Sequence, residues 1–425
     1  MADNKACVSI SGGYLRSPDT SGFLSNSDNK TICEESNITC RYAQGQHSHY
    51  SSIDGLRAIS CIAVIAMHIR VNTNYTIGMA VGTGVNELAV TTEAVTMGVS
   101  NFLYNHFIPA FTWLVYLFLM ISGFGMCAGY LRKFQGIFQN GSQGREQNDD
   151  GVDLETFYFK RYAKILPFFG FLLIIALLIE PSLTNFYEAT MEVTLLYGLL
   201  PNNTMNVLGV CWTLGVIFLF YLMFPAVTVL MKSRKRAWMA LAISLWINFI
   251  CQRYFFGEVF VTELFTPRHS FIYCFPLFVG GGIVYLYRNE IRMVCNRFKW
   301  RVMIGCLVGT VIYFLVESWV SYSFQYYILL PLFMLWLAYA VGVDSRVLGG
   351  RCMKYLSSIS MEMYLAQMII FRLVEKCGFL YVLGTGWGGF LMTLVLTVFG
   401  LIVFIEGYKL MVRVVEKMMK RMKQK

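Results

Sequence analysis

The chain has 425 residues, of which 56% are hydrophobic, 16% are aromatic and only 14% are charged. A typical soluble domain carries about 25% charged residues, and a soluble core of this length could not bury so much apolar surface. The composition therefore argues against a soluble enzyme and predicts an all-α, polytopic integral membrane protein. The formal net charge of +10 does not indicate a nucleic-acid partner, because the basic residues stand in short runs beside apolar segments.

Ten apolar segments with polar flanks predict a bundle of about ten transmembrane helices. They run over 56–70, 107–130, 165–181, 208–230, 238–256, 270–287, 302–320, 325–343, 356–374 and 387–408. The connections on one side of the membrane hold 25 Lys and Arg residues, whereas those on the other side hold five. Because Lys and Arg favour the cytoplasmic side, we expect a multi-pass protein of the cell membrane with both termini in the cytoplasm.

This map divides the chain into three regions. Residues 1–50 are polar and predict a flexible cytoplasmic tail, residues 51–408 form the transmembrane domain, and residues 409–425 are a basic tail. We expect the basic tail to lie on the inner leaflet as an amphipathic segment. The cysteines show no metal-ligand spacing, so we expect neither a metal site nor a disulfide framework. No other feature of the sequence implies a bound cofactor.

The first span carries two ionisable residues, Arg57 and His68, that are costly to place in a membrane. Eleven helical positions make about three turns, so the two side chains share one face and lie about 16 Å apart along the axis. Arginine can grip a phosphate or carboxylate, and histidine can take a proton from a hydroxyl group. Two plainer interpretations stay open, in which Arg57 is a snorkelling anchor and His68 is a buried polar group.

An Asp-Gly-Leu-Arg start followed by ten residues and His resembles the membrane acyltransferase 3 family, whose members are mostly bacterial O-acyltransferases of surface glycans. The resemblance continues in chain order through FLMISGF (118–124), KRYAKILP (160–167), WTLGVIFLFYLMFP (212–225) and ISMEMYLAQ (359–367). Two positions depart from the family pattern, because Ile217 stands where the family has Glu and Gln367 where it has His. Glu317 and Glu362 are the intramembrane carboxylates that could replace the missing Glu.

The resemblance implies an O-acyltransferase that moves an acyl group, most simply acetyl, from cytoplasmic acyl-CoA to a hydroxyl of a surface glycan or lipid-linked sugar. His68 and Arg57 would be the catalytic residues, with His68 as the general base, and Arg57, Arg161 and Lys164 would hold the CoA phosphates. The residues expected to bind substrate are Ser122, Trp212, Tyr221, Tyr364 and Gln367. Most of these residues also have a structural explanation. They could pack helices together, set the membrane topology by their charge, or lie in the aromatic belt at the membrane interface.

Two other functions remain open. A transporter that exports a glycan or lipid-linked substrate would also keep polar residues in the membrane, and a silent relative could serve as a partner in a glycan-synthesis complex. The remaining polar residues look structural. We expect His106 and His269 to be interfacial caps, and Glu188 and Glu192 to be solvated residues of an outer loop.

Overall fold

The computed structural model describes residues 50–77, 98–140, 153–257 and 259–422, without the side chains of 136–140. All regular secondary structure in these ranges is helical, which confirms the all-α class. The predicted tail at 1–49 lies outside the described residues.

The α-helices are named here in chain order. They are α1 (Ser51–Val71), α2 (Leu114–Asn140), α3 (Leu154–Ile179), α4 (Leu183–Thr194), α5 (Trp212–Leu230), α6 (Arg234–Ile250), α7 (Phe271–Leu286), α8 (Arg288–Val316), α9 (Tyr322–Gly342), α10 (Arg351–Ser358), α11 (Ser360–Lys376) and α12 (Trp387–Met422). A π-helical turn at Leu103–Phe107 and a 3-10 turn at Pro109–Trp113 lead into α2.

Seven helical runs in the described part of the chain are long and apolar enough to cross a membrane, so the protein is a multi-pass membrane protein. They are α1, the run Gly98–Gln135 that contains most of α2, α3, α5, the run Arg288–Trp319 that contains α8, α9 and α12. Three of the ten predicted spans fall on shorter helices, because α6 and α11 have 17 residues each and α7 has 16. Length and composition alone therefore do not confirm the count of ten.

Two glycines let α2 and α7 approach closely. A Cβ atom added at Gly123 would collide with the backbone of Phe278, and one added at Gly281 would collide with the backbone of Met120. Small residues at such crossings allow membrane helices to pack backbone against backbone. Gly123 of the FLMISGF motif is therefore explained by packing.

Helix α1 is held at both of its ends, which fixes the position of the side chains along it. At its first turn, Ser52 donates a hydrogen bond to the carbonyl of Val343, and Asp54 accepts one from Ser357 at 3.0 Å. Beyond its last turn, the Tyr75 and Thr393 hydroxyls lie 2.6 Å apart. We call the side of the bundle where α1 begins the Ser51 end, and the side where α1 ends the Val71 end.

The last helix is longer than a membrane is thick. Helix α12 has 36 residues, or about 54 Å at 1.5 Å per residue, against about 30 Å of hydrocarbon. Residues 409–422 continue this helix instead of forming a separate amphipathic segment. The sequence did not reveal this, because a basic amphipathic stretch has the same pattern whether it lies on a membrane or extends a helix beyond it.

Candidate active site

Arg57 and His68 both belong to α1 and lie on the face that the helical spacing predicts. Both lie deep in the bundle but keep solvent-accessible surface, whereas Cys61 (1% exposed) and Val64 (0% exposed) between them are buried. The structure therefore places a cation and an imidazole about 16 Å apart along one face of α1, each deep in the bundle and still accessible.

The orientation of His68 is set by Gln367 of α11. Its Nδ1 lies 3.0 Å from Oε1 of Gln367, and Nε2 of Gln367 donates to the carbonyl of Tyr364 at 2.9 Å. An amide oxygen can only accept, so Nδ1 carries the proton of the neutral ring. Nε2 of His68 is then the nitrogen that can take a proton. Gln367 is itself only 1% exposed, so its amide has little freedom to turn.

A group of aromatic and charged residues at the Val71 end is linked to His68 through Arg268. The Trp212 ring stacks on His269 with ring centroids 4.7 Å apart, and the Arg268 guanidinium lies 5.9 Å from the Trp212 ring. Arg268 interacts electrostatically with both His68 and Tyr364. Tyr364, one of the predicted substrate residues, therefore lies near the predicted base through Gln367, and Trp212, another of them, lies beside Arg268.

His269 differs from its expected role as an interfacial cap. It is only 7% exposed, and its Nδ1 lies 3.3 Å from the carbonyl of Asn203. Burial lowers the pKa of His269 to about 3, and the charge of Arg268 adds to this effect. The ring therefore stays neutral at physiological pH and acts as a stacking partner of Trp212. His106, by contrast, is exposed, with its Nδ1 3.7 Å from a Glu317 carboxylate oxygen.

A second group of charges gathers around Arg57 toward the Ser51 end, and we call Arg57, Arg161 and Lys164 the cationic cluster. Lys164 interacts electrostatically with Arg57, with Arg161 and with the carboxylate of Glu362. Arg57 also interacts with Asp54 and Tyr221. The three predicted phosphate-binding residues therefore come together, although they belong to two different helices.

Arg161 is held in a cage of aromatic rings. Its guanidinium lies 4.8 Å from the ring of Tyr130, 5.1 Å from that of Tyr221 and 5.6 Å from that of Phe157. Its Nε is buried and has no hydrogen-bond partner among the described residues. A buried N–H group without a partner is uncommon and costly, so this donor is suited to an acceptor that the protein itself does not provide.

Two of the predicted substrate residues have other surroundings than expected. Ser122 donates its hydroxyl hydrogen bond to the carbonyl of Phe118 at 3.0 Å, one turn earlier in α2. Its link to the site is indirect, because the Phe118 ring lies 6.4 Å from that of Tyr364. The Tyr221 ring lies against Arg161 of the cationic cluster. Substrate binding by either residue stays a prediction.

The two carboxylates proposed as replacements for the missing family Glu lie in different places. Glu362 interacts electrostatically with Lys164 and Cys61, so it belongs to the surroundings of the cationic cluster. Glu317 follows the last turn of α8 and pairs with His106, as described above. Glu362 is therefore the better placed of the two to act beside the cationic cluster.

The prediction that Glu192 is a solvated loop residue was wrong. It lies in the short helix α4 and is fully buried, with Oε1 accepting from the Leu208 backbone at 3.4 Å and Oε2 without a partner among the described residues. Burial raises the pKa of this carboxyl to about 7. No simple sequence signal marks it, since an outer loop with several carboxylates is ordinarily solvated. Its neighbour Glu188 accepts a 2.7 Å hydrogen bond from the Asn206 backbone.

The fold and the site define a multi-pass membrane protein in which one helix carries an arginine among other cations and an oriented histidine. A family model described as an acyltransferase domain, that of the acyltransferase 3 family, matches residues 50–406. Because this match covers most of the chain, the protein belongs to the acyltransferase 3 family and is a membrane acyltransferase in the general sense. No curated protein and no solved structure matches the chain.

Proposed function

We propose that this protein is an O-acyltransferase that moves an acyl group, most simply acetyl, from cytoplasmic acyl-CoA to a hydroxyl of a surface glycan or lipid-linked sugar. The observation that carries the proposal is the pairing of His68 with Gln367, which leaves Nε2 of the imidazole able to accept a proton. Such a nitrogen inside a membrane helix bundle suits general-base activation of a hydroxyl. Family membership supports acyl transfer as the reaction.

The cationic cluster would hold the phosphates of the donor. Arginine forms bidentate, charge-assisted hydrogen bonds with phosphate, and the unpartnered Nε of Arg161 supplies a further donor there. The distance from Arg57 to His68, about 16 Å along α1, suits a molecule whose phosphates and reactive thioester are joined by a long flexible arm. Acyl-CoA is such a molecule, which favours it over a donor with adjacent phosphate and acyl groups.

The reaction would then proceed at His68, with the donor phosphates at the cationic cluster. Nε2 of His68 takes the proton of the acceptor hydroxyl while its oxygen attacks the thioester carbonyl, forming the new C–O bond. The resulting intermediate breaks its C–S bond, and the departing thiolate takes the proton back from the imidazolium. The ester and free CoA thiol leave, and no net proton is gained or lost.

Contacts between the ends of helices support the proposal of ten crossings. At the Ser51 end, Ser51 bonds to Asp344 and Arg234 pairs with Glu290. Contacts on the opposite side join Glu180 with Arg372, Asn203 with Thr266, and Thr76 with Thr385. Each contact joins segments that ten alternating crossings put on the same side. The short helices α6, α7 and α11 would then cross the membrane too, with the Ser51 end in the cytoplasm by the positive-inside rule.

The experiment is an assay of CoA-thiol release by the purified protein in liposomes, with acetyl-CoA as donor and lipid-linked oligosaccharides as acceptor. His68→Gln should lower the rate about 10²–10⁴-fold, because it removes proton uptake but keeps a polar side chain of similar size. His106→Gln is the matched control, since this exposed histidine lies outside the site. Equal rates in wild type and His68→Gln would refute the role of His68. Substrate transport across the liposome without thiol release would favour the exporter.

A further inference from the structure

Arg268 is a cation at the Val71 end whose role the family motifs do not supply. Its side chain forms a 3.2 Å hydrogen bond from Nη1 to the hydroxyl of Thr112, and no carboxylate pairs with it within the part of the chain that the structure describes. A guanidinium has five N–H donors, so most of its hydrogen-bonding capacity is unused by this contact. Arg268 also keeps solvent-accessible surface.

Three elements fix the position of this guanidinium beside α1. Thr112 belongs to the 3-10 turn Pro109–Trp113, which packs directly against α1. Trp212, which begins α5, lies beneath the guanidinium and stacks on His269, the residue that follows Arg268. The backbone carbonyl of Arg268 in turn accepts a hydrogen bond from the Cys274 thiol at 3.2 Å. The charge is therefore held in place before any substrate binds.

We propose that Arg268 is a catalytic residue that stabilises the oxyanion formed on the acyl carbonyl when the acceptor hydroxyl attacks it. The inference rests on the proposed function. As the new C–O bond forms, the carbonyl π electrons move to oxygen, and this oxygen accepts hydrogen bonds from the guanidinium. When the C–S bond breaks, the electrons return to the carbonyl and the thiolate takes the proton from His68. Preorganised donors of this kind stabilise the transition state without having to reorient during the reaction.

The electrostatic link to the base favours this role. The guanidinium is tied through Thr112 to the turn that packs against α1, and it interacts electrostatically with His68, so the two positive charges repel once the imidazole has taken its proton. The arrangement becomes favourable when an anion forms between them. The tetrahedral intermediate provides that anion at the step in which His68 is protonated. Arg268 also interacts electrostatically with Tyr364 of α11. The developing charge would therefore lie near residues of α1, of α11 and of the 3-10 turn Pro267–His269 that precedes α7.

The test compares Arg268→Gln, Arg268→Lys and Thr112→Val with wild type, using acetyl-CoA as donor and methyl glucoside as acceptor probe. We expect Arg268→Gln to lower kcat about 10²–10³-fold with little change in either KM. Arg268→Lys should retain part of the activity because it keeps the charge, and Thr112→Val should show a smaller loss because it only loosens the guanidinium. Arg372→Gln is the matched control, since this exposed arginine pairs with Glu180 away from the site.

Protection against thermal unfolding by free CoA shows whether each variant is folded, because the CoA phosphates bind at the distant cationic cluster. A folded Arg268→Gln protein with kcat near that of wild type overturns the inference. An increased KM for the acceptor at unchanged kcat also overturns it and assigns Arg268 to acceptor recognition. If wild-type protein releases no CoA thiol with any acyl donor or acceptor, the proposed function itself fails. An active wild type with an active Arg268→Gln variant refutes only the oxyanion role.

Discussion

Replacing Gln367 with Met should remove the group that fixes the proton of His68. Methionine has nearly the same length and fills the buried site, but it accepts no hydrogen bond of comparable strength. The Nδ1–H group of His68 then loses its 3.0 Å partner. The imidazole can respond by moving this proton to Nε2, and in that form Nε2 can no longer act as a base.

The size of the effect follows from the burial of the pair. Leaving a buried donor unsatisfied costs about 1–3 kcal/mol, and the ring escapes this cost only by adopting the inactive tautomer or another orientation. Each 1.36 kcal/mol is a factor of ten in rate, so kcat should fall about 5- to 150-fold. The KM for acyl-CoA should change little, because the cationic cluster lies about 16 Å away along α1.

Steady-state CoA-thiol release in liposomes measures both constants. Gln367→Glu provides a second test of the same role, measured as the pH dependence of activity. A carboxylate beside the imidazole favours its protonated form, so activity should begin to rise at a pH about 1–3 units higher than in wild type. An active Gln367→Met enzyme with unchanged kcat would refute the role of Gln367 in orienting His68. A large increase in KM for acyl-CoA would show that the substitution also disturbed the cationic cluster.

Three further predictions concern the donor, the buried acid and the topology. Arg57→Lys should raise the KM for acyl-CoA at unchanged membrane abundance, because Lys lacks the planar fork of Arg, and a normal KM would show that Arg57 is only an anchor. Burial raises the pKa of Glu192 to about 7, above the ordinary value of 4.5, so the folded protein keeps this proton over a range where the unfolded chain loses it. The resulting loss of folding free energy grows as pH rises and reaches about 3 kcal/mol above pH 7. Thermal melting should therefore show Glu192→Gln gaining stability over wild type between pH 5 and 8, and parallel curves of melting temperature against pH would contradict this. In a cysteine-free background, Val259→Cys (89% exposed) should react with an impermeant thiol reagent in intact cells and Val347→Cys (74% exposed) should not, whereas the reverse pattern would invert the proposed orientation.

The membrane class and the geometry of α1 were predictable because they depend on local rules. Apolar runs predict helices, and eleven helical positions bring Arg57 and His68 onto one face whatever the rest of the fold does. The seven spanning helices that the structure identifies were all among the ten predicted segments. The exact count was less predictable, because α6, α7 and α11 lie at the lower limit of helix length for a crossing.

The contacts across the site could not be predicted, because they join positions far apart in the chain. Gln367 reaches His68 from 299 residues away, and Arg268 meets Thr112 across 156. Burial of Glu192 depends on how α4 packs, which the composition of its loop does not reveal. Charge patterning gives the side of the membrane on which a residue lies, but not whether neighbouring elements enclose it.

The departure from the family pattern at position 367 bears on whether the site can catalyse. A histidine there could share or exchange a proton with His68, so either ring could hold it. An amide oxygen carries no proton, so in the hydrogen bond between the two residues His68 is always the donor and Gln367 the acceptor. This leaves His68 as the single titrating group of the pair, with its basic nitrogen determined in advance. The substitution is thus compatible with a working base, which favours the acyltransferase over a silent relative and makes His68 the decisive residue to change.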